Sequence, residues 1–222
     1  MSKHIRREIE SLKKSILTIG TTVEESLFKA VEALEKKDAD LAREVIAGDA
    51  EVDQMEVDLE EECLKVLALH QPVAIDLRLI VSIMKINNDL ERVGDLSVNI
   101  AERVLFLARG SREKPVFDFS GMARKVREML KNSLDALVRE DSNLAHEVCR
   151  ADDEVDAINR DIFIRVHDAI KERPEDVENL IHQLSISRHL ERVADLATNV
   201  AEDVIYMIEG VIIRHKAEDF NE

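Results

Sequence analysis

Apolar residues recur at spacings of three and four along nearly the whole chain, the signature of amphipathic helices with one face turned to a core. Ile5, Ile9, Leu12, Ile16, Ile19, Val23, Leu27, Ala30 and Leu34 mark one face of a first helix. Asp38 suits the N-cap of a second helix running toward Leu69, because its carboxylate can accept from the free amides of the first turn. Pro72 is expected in the first turn of a third helix, where a missing amide proton costs nothing. That helix carries Leu77, Ile80, Met84, Leu90, Val93, Ile100, Val104 and Leu107, and Gly110 supplies its stop.

The pattern then repeats. A shift of 103 residues lays Leu27–Asp53 on Leu130–Asp156 with identity at 12 of 27 positions. A shift of 100 lays Asn88–Glu102 on Arg188–Glu202 with identity at 9 of 15. Asp141, Pro174 and Gly210 take the parts of Asp38, Pro72 and Gly110. The sequence therefore predicts an all-α fold of two tandem, internally duplicated three-helix bundles, six long antiparallel helices in all. The expected division is 1–110 for the first bundle, 111–117 for a linker centred on Gly110-Ser111-Arg112-Glu113-Lys114-Pro115, and 118–222 for the second. Helices of about 30 residues would be about 45 Å long.

Composition narrows the function. With 6 Gly, 3 Pro, one Tyr and 3% aromatics in 222 residues, a sheet-rich fold lacks both its strand residues and its turn chemistry. A net charge of −16 repels a phosphate backbone, so nucleic acid is not an expected partner. No run approaches the roughly 20 apolar residues of a bilayer span, the chain opens on the polar Met1-Ser2-Lys3-His4, and Cys63 and Cys149 form no C-x-x-C pair. A soluble cytosolic protein with both cysteines buried as apolar residues is expected.

Candidate chemistry lies in the acids. Glu91, Asp95 and Asn99 stand at i, i+4 and i+8 on the third helix, and Glu191, Asp195 and Asn199 repeat them. Asp49 with Asp53, and Asp152 with Asp156, form one-turn pairs on the second helix of each unit. Antiparallel second and third helices would bring four carboxylates into one patch per unit, a hard all-oxygen site suited to Mg, Ca, Mn or iron. A solvated acidic face is the plain alternative, since about ten i,i+4 acid pairs arise by chance at this composition, although each costs a few tenths of a kcal/mol in like-charge repulsion. Arg92 and Arg192 could be simple ion-pair partners of the neighbouring acids. A ferritin-like Glu-x-x-His centre, a phosphate loop, a nucleophile elbow and H-E-x-x-H are all missing. His146, His167, His182 and His189 have no histidine counterpart in the other unit and read as surface or packing residues. Met55, Met84, Met122, Met129 and Met207 read as core filler, and Gly94, matched by Ala194, as a point of close helix approach.

The segments Leu90-Glu91-Arg92-Val93-Gly94-Asp95-Leu96-Ser97-Val98-Asn99-Ile100-Ala101-Glu102 and Leu190-Glu191-Arg192-Val193-Ala194-Asp195-Leu196-Ala197-Thr198-Asn199-Val200-Ala201-Glu202 closely resemble the signature of the phosphate-uptake regulator family, PhoU. Asp49-Ala50-Glu51-Val52-Asp53 and Asp152-Asp153-Glu154-Val155-Asp156 look like its other recurring motif. The resemblance implies two similar bundles, a homodimer, a cytoplasmic location and no catalytic activity. It further implies negative regulation of phosphate uptake and starvation signalling, through the ATPase of the phosphate ABC transporter and a membrane sensor histidine kinase, with the membrane reached only through those partners. Family members carry E(D)-x-x-x-D motifs that hold metal, in some cases multinuclear clusters, which implies divalent or trivalent ions here (iron, Mg, Mn, Ca or Zn, the identity left open). The matching positions here are Asp49, Asp53, Glu91, Asp95, Asp152, Asp156, Glu191 and Asp195, with Asn99 and Asn199 as auxiliary donors. A carboxylate-bridged metalloenzyme hydrolysing a phosphoester and a metal-free helical adaptor are the competing readings.

Overall fold

In the computed structural model, which describes residues 3–109 and 117–213, the chain forms six helices: α1 (Lys3–Lys36), α2 (Ala39–His70), α3 (Ile75–Arg109), α4 (Ser120–Arg139), α5 (Ser142–Glu172) and α6 (Val177–Glu209). No strand occurs among the described residues. All nine positions of the apolar stripe expected on α1 are buried. Helices α1, α2 and α3 pack against one another, α4, α5 and α6 do the same, and the two sets meet along α3–α6 and α1–α4.

The turns between the first and second helices of each set are built alike. Lys37 (φ 52°) and Glu140 (φ 51°) take the left-handed conformation that ends a helix. The next residue then starts the following one: Asp38 Oδ1 accepts from the amides of Asp40 and Leu41 at 3.0 Å, and Asp141 Oδ1 from that of Leu144 at 3.1 Å. Gly210 closes α6 with φ 73°, as its place in the sequence suggested. Gly110 and the segment 110–116 lie outside the described residues.

Three expectations need correction. Pro72 lies in the loop ahead of α3, which begins only at Ile75, because Gln71 (φ 44°) and Ala74 (φ 51°) hold the backbone out of helix on either side. Its counterpart Pro174 opens a separate 3-10 turn, Pro174–Asp176, before α6. Helix α4 has 20 residues, not about 30; upstream of it Phe117 and Phe119, an edge-to-face pair at 5.5 Å, enter the core where α1 would continue as helix. Leu77, assigned to the apolar face of α3, is 41% exposed.

Pairwise contacts fix helix directions. Lys85 on α3 meets Asp203 on α6 (3.0 Å), while Phe106 stacks on His182 (3.8 Å), so α3 and α6 run antiparallel. At the α1–α4 contact Gly20 packs against Leu134, where a Cβ would lie 2.8 Å from Cδ2 and the leucine would have to shift. The same contact carries the Lys13–Glu140 ion pair (2.6 Å) and the Arg127 guanidinium over the Phe28 ring (4.2 Å).

Candidate metal centre

Helices α2 and α3 bring their acids together by antiparallel packing. Asn87 Nδ2 on α3 donates to the Glu56 carbonyl on α2 at 2.9 Å. Two turns further along α3, Gly94 lies against Val52 and Asp49, earlier in α2. Glu91 and Asp95 are thereby set beside Asp49 and Asp53. The second set repeats the geometry with different residues: Ser187 Oγ donates to Asn159 Oδ1 at 2.7 Å, at the positions equivalent to Asn87 and Glu56. Residues 91–100 and 191–200 have the same burial pattern position by position, with Val93, Leu96 and Ile100, like Val193, Leu196 and Val200, facing the core.

Electrostatics registers the convergence. Burial raises the Asp49 carboxyl above its ordinary value, and Asp53 and Asp95 raise it further. Burial likewise raises Glu91, with Asp95, Asp53 and Glu56 adding to it and Arg92 opposing. Burial pushes Asp152 up to about 6, helped by Asp195, Asp156, Asp153 and Glu191. Asp195 is raised by burial and Asp156, and Glu191 by burial, Asp195 and Asp156, with Arg192 opposing in both. All eight carboxylates predicted from sequence thus fall into two clusters of four, each repelling itself. Asn99 donates its side-chain amide to the Asp95 carbonyl at 2.9 Å, which leaves its oxygen as the accepting end.

Among the described residues no three His, Cys, Asp or Glu side chains are already arranged to hold a metal ion. The donor set is nonetheless that of a hard cation, because every group is a carboxylate or amide oxygen and the acids of each cluster oppose one another's charge. A bound cation would reverse that opposition. The structure also adds Glu56, whose carboxyl is raised by burial and by Glu60 and Asp53. It stands one turn from Asp53 on the same face, but its counterpart is Asn159, so comparing the repeats hid it.

The two stripes also face each other. Antiparallel packing of α3 on α6 places Arg92, Asp95 and Asn99 opposite Arg192, Asp195 and Asn199 around one cleft of about 540 Å³. Both cysteines are free: Cys63 is buried and Cys149 half-buried, and burial pushes each thiol to about 12, so neither supplies a thiolate. No described helix is long and apolar enough to cross a membrane.

An all-helical, twice-repeated scaffold carrying matched carboxylate clusters defines a class of non-identical tandem bundles. The particular family follows from comparison. The sequence model of the PhoU domain matches twice, over residues 16–104 and 119–204. A protein of Aquifex aeolicus (strain VF5) named phosphate-specific transport system accessory protein PhoU homolog is 40% identical over 210 residues, 95% of each chain. The crystal structure of PhoU from Pseudomonas aeruginosa superposes with a TM-score of 0.90 at 35% identity, covering 93% of this chain and 99% of that one. The phosphate transport system regulatory protein PhoU from Streptococcus pneumoniae gives 0.83 at 30% identity, covering 94% and 98%. The chain belongs to the PhoU family.

Proposed function

We propose that this chain is a cytoplasmic accessory protein of a phosphate transport system and a negative regulator of phosphate uptake and starvation signalling, working as a metal-loaded scaffold without catalysis. Its partners would be the ATPase of the phosphate ABC transporter and a membrane sensor histidine kinase, with a homodimer as the working form. The observation that carries the reading is the pair of self-repelling carboxylate clusters at equivalent places in a chain whose relatives are named for phosphate transport. Asp49, Asp53, Glu91 and Asp95 would hold cations in the first unit, Asp152, Asp156, Glu191 and Asp195 in the second, with Asn99 and Asn199 as extra oxygen donors. Divalent or trivalent ions such as iron, Mg, Mn, Ca or Zn would neutralise each patch, and the loaded face would dock on a basic or metal-completing partner.

Elemental analysis of native protein beside the double variant Asp95→Asn, Asp195→Asn tests the site, with loss of metal expected and unchanged content refuting it. Recovery of the transporter ATPase or sensor kinase in pull-downs from phosphate-replete and phosphate-starved cells tests the role. The metal-free adaptor is favoured by one observation, that no three acids are drawn together in the ion-free arrangement; it predicts no stoichiometric metal at all.

A further inference from the structure

Helices α2 and α5 each present a second stripe to solvent, opposite the one they bury. Helix α2 packs on α1 and α3, and α5 on α4 and α6, so each has a face turned away from its bundle. On α2 that face is Ala50, Gln54, Val57, Glu61, Leu64 and Ala68, spaced alternately by four and three, the interval that lines up a helix-to-helix contact. Its equivalents on α5, at the shift of 103, are Asp153, Ala157, Arg160, Ile164, His167 and Lys171. All twelve are exposed. Val57 and Leu64 keep 46% and 51% of their surface in water, and Ile164 and its neighbour Phe163 keep 59% and 50%.

The two units kept the buried face and exchanged the chemistry of the outer one. The apolar Val57, Leu64 and Ala68 of α2 correspond to Arg160, His167 and Lys171 of α5, whereas Glu60, Glu61 and Glu62 correspond to Phe163, Ile164 and Arg165. Laid antiparallel with Val57 on Ile164, the stripes place Glu61 on Arg160 and Leu64 on Ala157, an ion pair between two apolar layers. Laid parallel with Val57 on Arg160, they place Glu61 on Ile164 and oppose charge to hydrocarbon in both layers. Both charges are available. Lys65 lies 3.9 Å from Glu61 but 2.9 Å from Glu62. Arg165 pairs with Asp161 (3.7 Å) and Lys171 with Asp168 (3.3 Å), while Arg160 has no ion pair among the described residues. Among those residues α2 makes no contact with α4, α5 or α6, and α5 makes none with α1 or α3, so the two stripes can meet only between copies.

We propose that the outer face of α2 docks antiparallel on the outer face of α5 of a second copy of this chain, with Val57, Glu61 and Leu64 on one side and Ile164, Arg160 and Ala157 on the other. Contact of α2 with α2 is disfavoured, because it gathers Asp58, Glu60, Glu61 and Glu62 of both copies. The docking is heterologous: a pair forms first and keeps one face of each kind open, so association continues as concentration rises. It supplies a contact for the two-copy form proposed above and does not rest on metal.

Sedimentation equilibrium of the full-length protein between about 1 µM and 1 mM, the range of weak to moderate contacts, tests the proposal. The average mass is expected to rise with concentration. Glu61→Arg and Arg160→Glu each set like charges against one another and should weaken association at least about tenfold. Both positions are exposed, so both proteins should fold, as circular dichroism checks. Mixed in equal amounts, the two variants should regain wild-type association, because every contact between unlike chains again joins an acid to a base. Leu64→Gln should weaken association several-fold with all charges unchanged. A wild-type mass that stays at one copy, single variants that associate like the wild type, or a mixture as weak as its components overturns the proposal. A pair that persists in both single variants overturns this contact and leaves the homodimer reading standing on another face; none of these results bears on the metal content that tests the scaffold.

Discussion

The carboxylate clusters of the two units share a motif but not an environment. In the second, Asp156 is half-buried where Asp53 in the first is exposed, and Asp152 has its carboxyl pushed up to about 6 by burial and by four acids, Asp195, Asp156, Asp153 and Glu191. In the first, Asp49 is raised by burial with only Asp53 and Asp95 adding to it. The α3–α6 seam differs too, with buried Asp203 meeting Lys85 at one end and Arg103 and Ser185 at the equivalent positions of the other. Duplication preserved the helices and the stripe; depth and charge pairing were free to diverge, because a change of one side chain leaves the helical period intact.

The largest expected effect comes from breaking the paired end of the seam. Lys85→Met removes the ammonium 3.0 Å from an Asp203 side chain that is 2% exposed, leaving a buried carboxylate short of a partner. A loss of about 2–3 kcal/mol in urea denaturation is expected. Ser185, at the equivalent place, donates to the Ile181 carbonyl of its own helix and forms no ion pair, so Ser185→Ala should change stability by less than about 0.5 kcal/mol. Equal losses in the two variants would mean that the ends are energetically alike despite their residues.

Cation loading is next in size. With metal at about a hundred times its dissociation constant, unfolding should become harder by about 2.7 kcal/mol. The second cluster stands to gain more because more of its acids repel, so Asp152→Asn, Asp195→Asn should remove more of the metal-induced rise in Tm than Asp49→Asn, Asp95→Asn does. The reverse ranking would show that exposure, which eases ion entry, outweighs repulsion.

Without metal the same cluster is a burden whose pH dependence has a fixed sign. A carboxyl raised from 3.8 to about 6 binds its proton more tightly folded than unfolded. Its cost to stability is therefore absent below pH ~4, grows as pH rises between ~4 and ~6, and is complete above that. Asp152→Asn should stabilise the metal-free protein by about 1–2 kcal/mol at pH 7, after discounting for partial solvent screening, and by nothing at pH 4. Thermal melts at the two pH values would check this, and a pH-independent gain would point to helix propensity instead.

Much of this was legible in the chain because it is local. The α1 stripe, the Asp38 and Asp141 caps and the i,i+4 acid pairs depend on residues within a turn or two of one another. Pro72 was misplaced because Gln71 and Ala74 adopt positive φ without the glycine that would announce it. Helix α4 begins late because Phe117 and Phe119 fill the core from outside a helix, and aromatic residues carry no periodic signal when so few. The meeting of both stripes in one cleft, and of Arg103 with His182 and His189, depends on how α3 lies on α6. Periodicity within one helix carries no information about that.

The smallest effect isolates whether backbone approach contributes to the difference between the units. Gly94 reads as a point of close helix approach and does lie against α2, where a Cβ would meet Val52 Cγ1 at 3.4 Å and Asp49 Oδ1 at 3.7 Å, ordinary contacts. Ala194 fills the equivalent position at 0% exposure. Gly94→Ala should therefore stabilise the protein by about 0.5–1 kcal/mol, the usual gain for replacing glycine within a helix. The added methyl also covers Asp49, so it should move that carboxyl further up, toward the behaviour of Asp152, as a carboxyl resonance titrated by NMR would record. Destabilisation by Gly94→Ala would mean that the first unit's helices lie closer than the second's, and that spacing, besides charge, separates the two clusters.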